Sequence, residues 1–404
     1  MKYVIIGNSA AGIGAVEGIR QVDGKGEITL ISSEPYHTYS RPLISYLLLG
    51  KVTEEKMKYR SDDFYEKNKV RFLHATATGV DAKEKQVVLD GGERIPFDKL
   101  LVATGSSAFV PPFEGLDSVK DKFTFMCLDD AQNLDKALGK DKRVLIIGAG
   151  LIGLKCAEGI LKKVANITVI DLAPRILSSI LNDEGAGIVQ RHLEGKGIKF
   201  RPSCGVKSFN GNTAVLDNDE KIGFDILVLA VGVRPNTALL NGIAKIERGI
   251  VVNEKSETSA PDIYAAGDCT QTVDVSSGQS KIMALLPNAY MQGESAGFSM
   301  AGSEKSFAKA IPMNAIGFFG LHVITAGNYT GDVYSKSEGD DYKRLFYSDN
   351  KLNGYILIGD VEKAGIYTSL IRDRTPLDKI DFALVCEKPG LMAFTKEERA
   401  ARLS

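Results

Sequence analysis

The sequence predicts an α/β protein made of two doubly wound parallel-sheet units, the second inserted into the first, plus a C-terminal α+β unit. Three observations carry that prediction. A strand, a glycine turn and a helix open the chain at residues 3–22, and the same unit recurs from Arg143 onward. Both copies continue into a β-branched strand that ends in an acid, and both close on a matching third strand. Beyond about Ser306 the pattern changes to short strand-like runs and turn residues.

The elements follow in order. Residues 3–6 (YVII) are a buried strand, 7–12 (GNSAAG) a turn, and the helix runs to about Val22. Residues 28–31 form the second strand, with Glu34 just beyond it. In the second copy, 143–147 (RVLII) leads into 148–153 (GAGLIG), and 167–170 runs up to Asp171. The closing strands are 97–105 (FDKLLVATG) and 224–232 (FDILVLAVG). Val110-Pro111-Pro112 and Val233-Arg234-Pro235-Asn236 punctuate the boundaries. This gives a first unit of 1–110 and 235–305, a second of 111–234 and a third of 306–404. In the third, 345–347 and 355–358 read as strands around a turn at Asn353-Gly354. A small-residue helix is expected near 288–301, and a charged, solvated helix at 396–402.

Composition sets the outer limits. The 404 residues carry 50 Lys plus Arg against 51 Asp plus Glu, a net charge of −1, so no basic field invites nucleic acid. Residues 226–233 are among the longest apolar runs, far short of the ~18 a membrane span needs. The first twelve residues lack the apolar stretch and cleavage site of a secretory signal, so the expected location is cytoplasmic. The five cysteines are widely scattered, Cys127 and Cys156 being the nearest two, and none of the four histidines pairs at i, i+4. No metal site is therefore expected.

A glycine fingerprint works by leaving room. The first glycine permits the turn, the second lets backbone approach a pyrophosphate, and the third lets helix pack on strand. The pyrophosphate then rests on free N–H groups at the helix N-terminus. Gly148, Gly150 and Gly153 complete the pattern. Asp171, at the end of the next strand, suits a ribose diol and repels a 2′-phosphate. NADH is therefore favoured over NADPH. The first copy has Ser9 in the middle position, and Glu34 follows Gly12 at a similar ribose-binding distance. Two Rossmann-like dinucleotide units in one chain imply a nicotinamide and a flavin, since two nicotinamides would have nothing to exchange.

These motifs, with 97–106 (FDKLLVATGS), 231–237 (VGVRPNT) and 263–268 (IYAAGD), resemble the pyridine nucleotide-disulfide oxidoreductase family over essentially the whole chain. The resemblance implies FAD on the first unit and NADH on the second. Asp268 would hold the FAD ribityl chain, and the helix near Pro287 and Asn288 would aim its N-terminus at the flavin pyrimidine. The expected cofactor-binding residues of the first copy and its returning segments are Gly7, Ser9, Ala10, Ala11, Gly12, Glu34, Arg41, Pro42, Ala77, Ala103, Thr104, Gly105, Gly267, Asp268, Pro287 and Asn288. In the second copy they are Gly148, Gly150, Leu151, Ile152, Gly153, Asp171, Val231 and Gly232. No side chain is expected to be catalytic, because hydride transfer needs proximity and orientation.

Branch membership turns on residues 36–46 (YHTYSRPLISY), which contain no cysteine, so no thiol there takes electrons from the flavin. Arg41-Pro42 resembles the RPxL segment of the ferredoxin, rubredoxin and nitrite reductase branch, with Arg near the FAD phosphates and Pro along the ring. Residues 313–320 resemble the C-terminal domain of NADH:rubredoxin reductases. Two departures stand out: Tyr46 where some members carry Lys, and Lys155 where most carry Glu, with Glu158 one turn later as a substitute. His37 reads as a solvent-facing loop residue, with a place near FAD as the alternative, and Cys156 as packing; Cys269 packs near the flavin, with a redox role as the alternative. The expected function is hydride transfer from NADH through FAD to a small rubredoxin- or ferredoxin-type carrier, by a monomer or homodimer. Direct reduction of oxygen, or a redox-sensing role, are the alternatives.

Overall fold

The computed structural model describes residues 1–395 and 399–400; most of the charged helix expected at 396–402 lies outside the described residues. Five parallel strands form the first sheet, in the order Ile263–Ala265, Lys99–Val102, Lys2–Ile6, Glu27–Ser32, Val70–His74. The second sheet repeats that plan with Ile198–Arg201, Asn166–Ile170, Arg143–Ile147, Ile226–Leu229 and Lys122–Phe123. Both sheets are covered on their faces, which is why their central strands are almost wholly apolar rather than alternating.

The sequence repeat survives as a repeat of hydrogen bonds. Gly7 N–H donates to Ile31 O, and Gly148 N–H to Ile170 O, each at 2.8 Å. Asp98, in the first FD pair, accepts from Lys2 N at 2.6 Å; Asp225, in the second, accepts from Arg143 N at 2.8 Å. Each aspartate thus fastens the start of the strand that leads into its unit's glycine turn. The Arg143 guanidinium and backbone hold the Asp225 carboxyl down at about 2.

Helix α1 (Ala10–Val22) follows the first glycine turn and α2 (Ile44–Leu48) the Arg41-Pro42 segment; α3 (Leu151–Ile160) follows the second turn. Helix α4 (Leu286–Met300) begins slightly earlier than expected and packs along α1. The C-terminal sheet is antiparallel, ordered Met313–Phe318, Leu321–Gly327, Lys351–Ile358, Asp341–Ser348, Asp332–Glu338. Here the expected turn is corrected. Asn353-Gly354 lies inside the strand Lys351–Ile358, and the chain reverses at Asp349-Asn350, both with positive φ. Glycine is needed at 354 for another reason: a Cβ there would fall 2.3 Å from Asn328 O of the neighbouring segment.

The second unit and the C-terminal sheet share one continuous core, in which Ile188 and Val189 of one join Phe318, Val323 and Ile356 of the other. Hydrogen bonds reinforce this seam, from Tyr329 OH to Ile180 O (3.0 Å) and from Asn182 Nδ2 to Tyr342 OH (2.9 Å).

Candidate dinucleotide sites

At the first glycine turn a cleft of about 680 Å³ opens along the carboxyl ends of the first sheet, the place where open α/β sheets bind ligands. Of the expected set, Gly7, Ser9, Ala10, Ala11, Glu34, Arg41, Ala77, Ala103, Thr104, Gly105, Gly267 and Asp268 line it. Gly12 does not; a Cβ there would fall 1.9 Å from Gly7 O, so its role is helix–strand contact. Gly153 repeats this against Gly148 O at 2.0 Å.

Three more of the expected residues do not line the cleft. Pro42 and Pro287 stand outside the cleft lining, and Asn288 is tied away from it, its Nδ2 donating to Ile311 O at 3.0 Å. Their neighbours on α4, Leu286 and Ala289, line the cleft instead. Sequence reading also missed Asn236 and Cys127. Asn236 clasps Thr104 in both directions, accepting from Oγ1 (2.6 Å) and donating to the carbonyl (3.0 Å). It stands in the VRPNT motif, so a signal was there. Cys127 arrives with the segment that enters the second unit, which no local pattern announces.

The charges form a defined set. Arg41 pairs with Glu34 Oε1 and also donates to Met126 O at 3.3 Å, while Tyr39 OH donates to Glu34 Oε2 at 2.6 Å. Arg41 therefore spends its guanidinium on Glu34 within the cleft, and Glu34 keeps lone pairs for a hydroxyl ligand. Burial pushes the Asp268 carboxyl up, against the Ser106 hydroxyl and the nearby Arg41. Cys269 is fully buried, its thiol directed at Val102 O and Ala266 O and raised by burial to about 11.

At the second turn Asp171 has a structural role of its own. Its carboxylate accepts from Ala149 N (2.6 Å) and Ala173 N (2.8 Å), so it also shapes the turn. A Cβ on Gly150 would meet nothing within 4 Å, which leaves the space a pyrophosphate needs. Leu151 and Ile152 form the first turn of α3, and Val231-Gly232 follows the closing strand Ile226–Leu229, with Gly232 at positive φ. Neither α1 nor α3 has a side-chain cap, although Asn182 caps the helix Asp183–Glu194. Uncapped N–H groups at both glycine turns suit two phosphate-bearing ligands.

Glu158, the expected substitute for the missing glutamate, is buried and joined to the C-terminal sheet. One oxygen pairs with Lys155 and the other accepts from Phe319 N at 2.8 Å. His37 is partly exposed, with its Nε2 buried.

With this geometry described, comparison with known proteins is direct. Residues 1–293 match the pyridine nucleotide-disulphide oxidoreductase family, and 312–375 match the rubredoxin NAD+ reductase C-terminal domain. The chain belongs to the pyridine nucleotide-disulphide oxidoreductases, and it is a flavoenzyme using FAD and NAD(H). It is 31% identical to the NADH-dependent phenylglyoxylate dehydrogenase subunit epsilon of Aromatoleum evansii, over 93% of this chain and 92% of that one. The NADH-rubredoxin oxidoreductase of Clostridium acetobutylicum is 28% identical over 89% and 91% of the two chains, and its crystal structure superposes with a TM-score of 0.76. The putidaredoxin reductase–putidaredoxin complex shares the fold at a TM-score of 0.89 and 22% identity, covering 99% of this chain and 98% of that one. Against the assimilatory nitrate reductase electron transfer subunit of Bacillus subtilis, 30% identical, the chain spans about half of the relative's length (49%).

Proposed function

We propose that this protein takes hydride from NADH and passes electrons, through FAD, to a small iron–sulfur or rubredoxin-type carrier protein. One observation carries the reading: the chain holds two matched dinucleotide units, and segment 36–46 of the first offers no cysteine as an alternative electron acceptor. We assign FAD to 1–110 with 235–305, NADH to 111–234, and the third unit to 306–404. Sheet membership and the cleft support that division. Five free thiols fit a cytoplasmic setting.

Bound FAD supplies the chemistry, accepting a hydride and releasing electrons singly. The chain's residues supply placement. The backbone of Gly7–Ala11 and the uncapped start of α1 take the phosphates of FAD, and Asp268 takes a ribityl hydroxyl. Gly150 and the start of α3 take those of NADH, and Asp171 takes the ribose diol and turns away a 2′-phosphate. The test is anaerobic mixing of the yellow holoprotein with NADH, followed by addition of a rubredoxin or ferredoxin. Rapid bleaching and turnover with a carrier support the reading. Turnover with oxygen alone makes the protein an NADH oxidase, and a protein that cannot be loaded with FAD ends the proposal.

A further inference from the structure

Residues 36–57 lie in the chain between two strands of the first sheet, Glu27–Ser32 and Val70–His74, yet they pack on the second unit. Ile44 and Leu48 of α2, and Met57 beyond it, share one core with Phe125, Ala157 and Ile160. Polar groups stitch the same segment down. Tyr39 OH accepts from Leu128 N at 3.0 Å, and Gln132 Nε2 donates to Glu54 Oε1 at 2.7 Å. Its Arg41 meanwhile pairs with Glu34 in the FAD cleft. One strap therefore lines one cofactor site and rests on the helix that begins the other.

The closest approach is at Gly159. Lys155 and Gly159, four residues apart, share one face of α3. The Lys155 ammonium lies 4.3 Å from the Tyr46 ring centroid of α2. A Cβ on Gly159 would fall 2.9 Å from Ser45 O and 3.3 Å from Leu48 Cβ. Ser45 O is backbone and Ser45 is buried, so it has little freedom to move aside. An ordinary carbon–oxygen contact is ~3.4 Å, so a side chain at 159 pushes α3 off α2 by about half an ångström. Gly150, at the turn assigned to NADH, is nine residues back along the same helix, about 14 Å away. A short helix moves as a rod, and a shift at one end is carried to the other. Hydride transfer needs reacting atoms ~3–3.5 Å apart, and a misplacement of about 1 Å costs about 100-fold in rate. We propose that Gly159 is a positioning residue: its missing side chain lets α2 seat on α3 and so fixes the NADH turn at working distance from the FAD cleft. This inference rests on the reading of the two glycine turns as the FAD and NADH sites.

The test uses the holoprotein and separates binding from transfer. In Gly159→Ala, anaerobic bleaching of the flavin by saturating NADH should slow about tenfold. The Kd values for NAD+ and ADP-ribose, titrated by calorimetry, should stay within about twofold of wild type, because the turn moves with its own sheet. Alanine favours the helix, which helps this variant to fold. If it retains no FAD, Tyr46→Ala takes its place: it removes the ring on which Lys155 rests and should slow bleaching about fivefold, and Tyr46→Phe should restore the rate. Bleaching at the wild-type rate in Gly159→Ala, or in Tyr46→Ala, overturns the proposal. A rise in the Kd for NAD+ that matches the loss of rate also overturns it, since Gly159 would then act on binding alone. If NADH does not bleach the wild-type holoprotein, the reading of the two sites itself fails.

Discussion

Lys155 and Glu158, three residues apart on α3, form a largely buried ion pair where all three units of the protein meet. The Lys155 ammonium lies 4.3 Å from the Tyr46 ring centroid of α2 and donates to Gly317 O of the C-terminal sheet at 3.2 Å. Glu158 reaches the same sheet through Phe319 N. The two residues that depart from the family pattern, Tyr46 and Lys155, are therefore in contact with each other.

Breaking this pair from one side strands a charge. Glu158→Gln should destabilise the protein by about 3–5 kcal/mol, whereas Lys155→Met with Glu158→Leu should cost far less. Thermal and urea unfolding of the two variants check this. Equal losses for the single and double variants would show that the charge balance is unimportant there.

The third glycines separate the two cofactors. Gly12→Val drives a side chain into Gly7 O and should abolish FAD binding; Gly153→Val drives one into Gly148 O and should leave a yellow protein that NADH no longer reduces. Flavin content and the rate of anaerobic bleaching distinguish these outcomes. Normal reduction of Gly153→Val by NADH would contradict the assignment of the second unit.

Asp171 has two duties that substitution can part. Asp171→Ala loses the acceptor for Ala149 N and the ribose contact, so kcat/KM for NADH should fall about 10- to 100-fold. Asp171→Asn keeps one of the two acceptors that the turn uses, so kcat/KM for NADH should fall less than in Asp171→Ala while the preference for NADH over NADPH narrows. Equal kcat/KM for both nucleotides in the wild-type enzyme would remove this role.

Cys269 sits next to Asp268, but its thiol is raised to about 11 and stays protonated near neutral pH. Cys269→Ala should keep full FAD content and NADH-driven ferricyanide reduction within about threefold, the neighbouring core absorbing a small loss of packing. A loss above tenfold with normal FAD would assign the thiol a redox role.

The Arg143–Asp225 pair gives stability a pH dependence of known sign. Asp225 is depressed from 3.8 to about 2, so its stabilisation is present above pH 4 and is lost as pH falls toward 2. The pair is partly exposed, and about 1 kcal/mol is a fair size for it. Asp225→Asn should show a correspondingly flatter acid limb in a plot of unfolding free energy against pH.

The parallel sheets, both glycine turns, the acids Asp171 and Glu34, and the repeat that makes two dinucleotide units are all legible in the order of residues. Each is a local pattern: periodicity, a turn that only glycine permits, a carboxylate a fixed distance along the chain. How those groups are shared became visible only in the folded chain. Glu34 is bound by Arg41 and Tyr39, Asn288 is turned toward Ile311, and Gly354 sits in a strand because a backbone passes close to it. The same holds for Lys155 against Tyr46. Glu34 apart, whose partners lie five and seven residues on, the deciding partner is on another segment of the chain. Hydrogen bonds and desolvation act over a few ångströms in space, and sequence spacing carries no record of that distance.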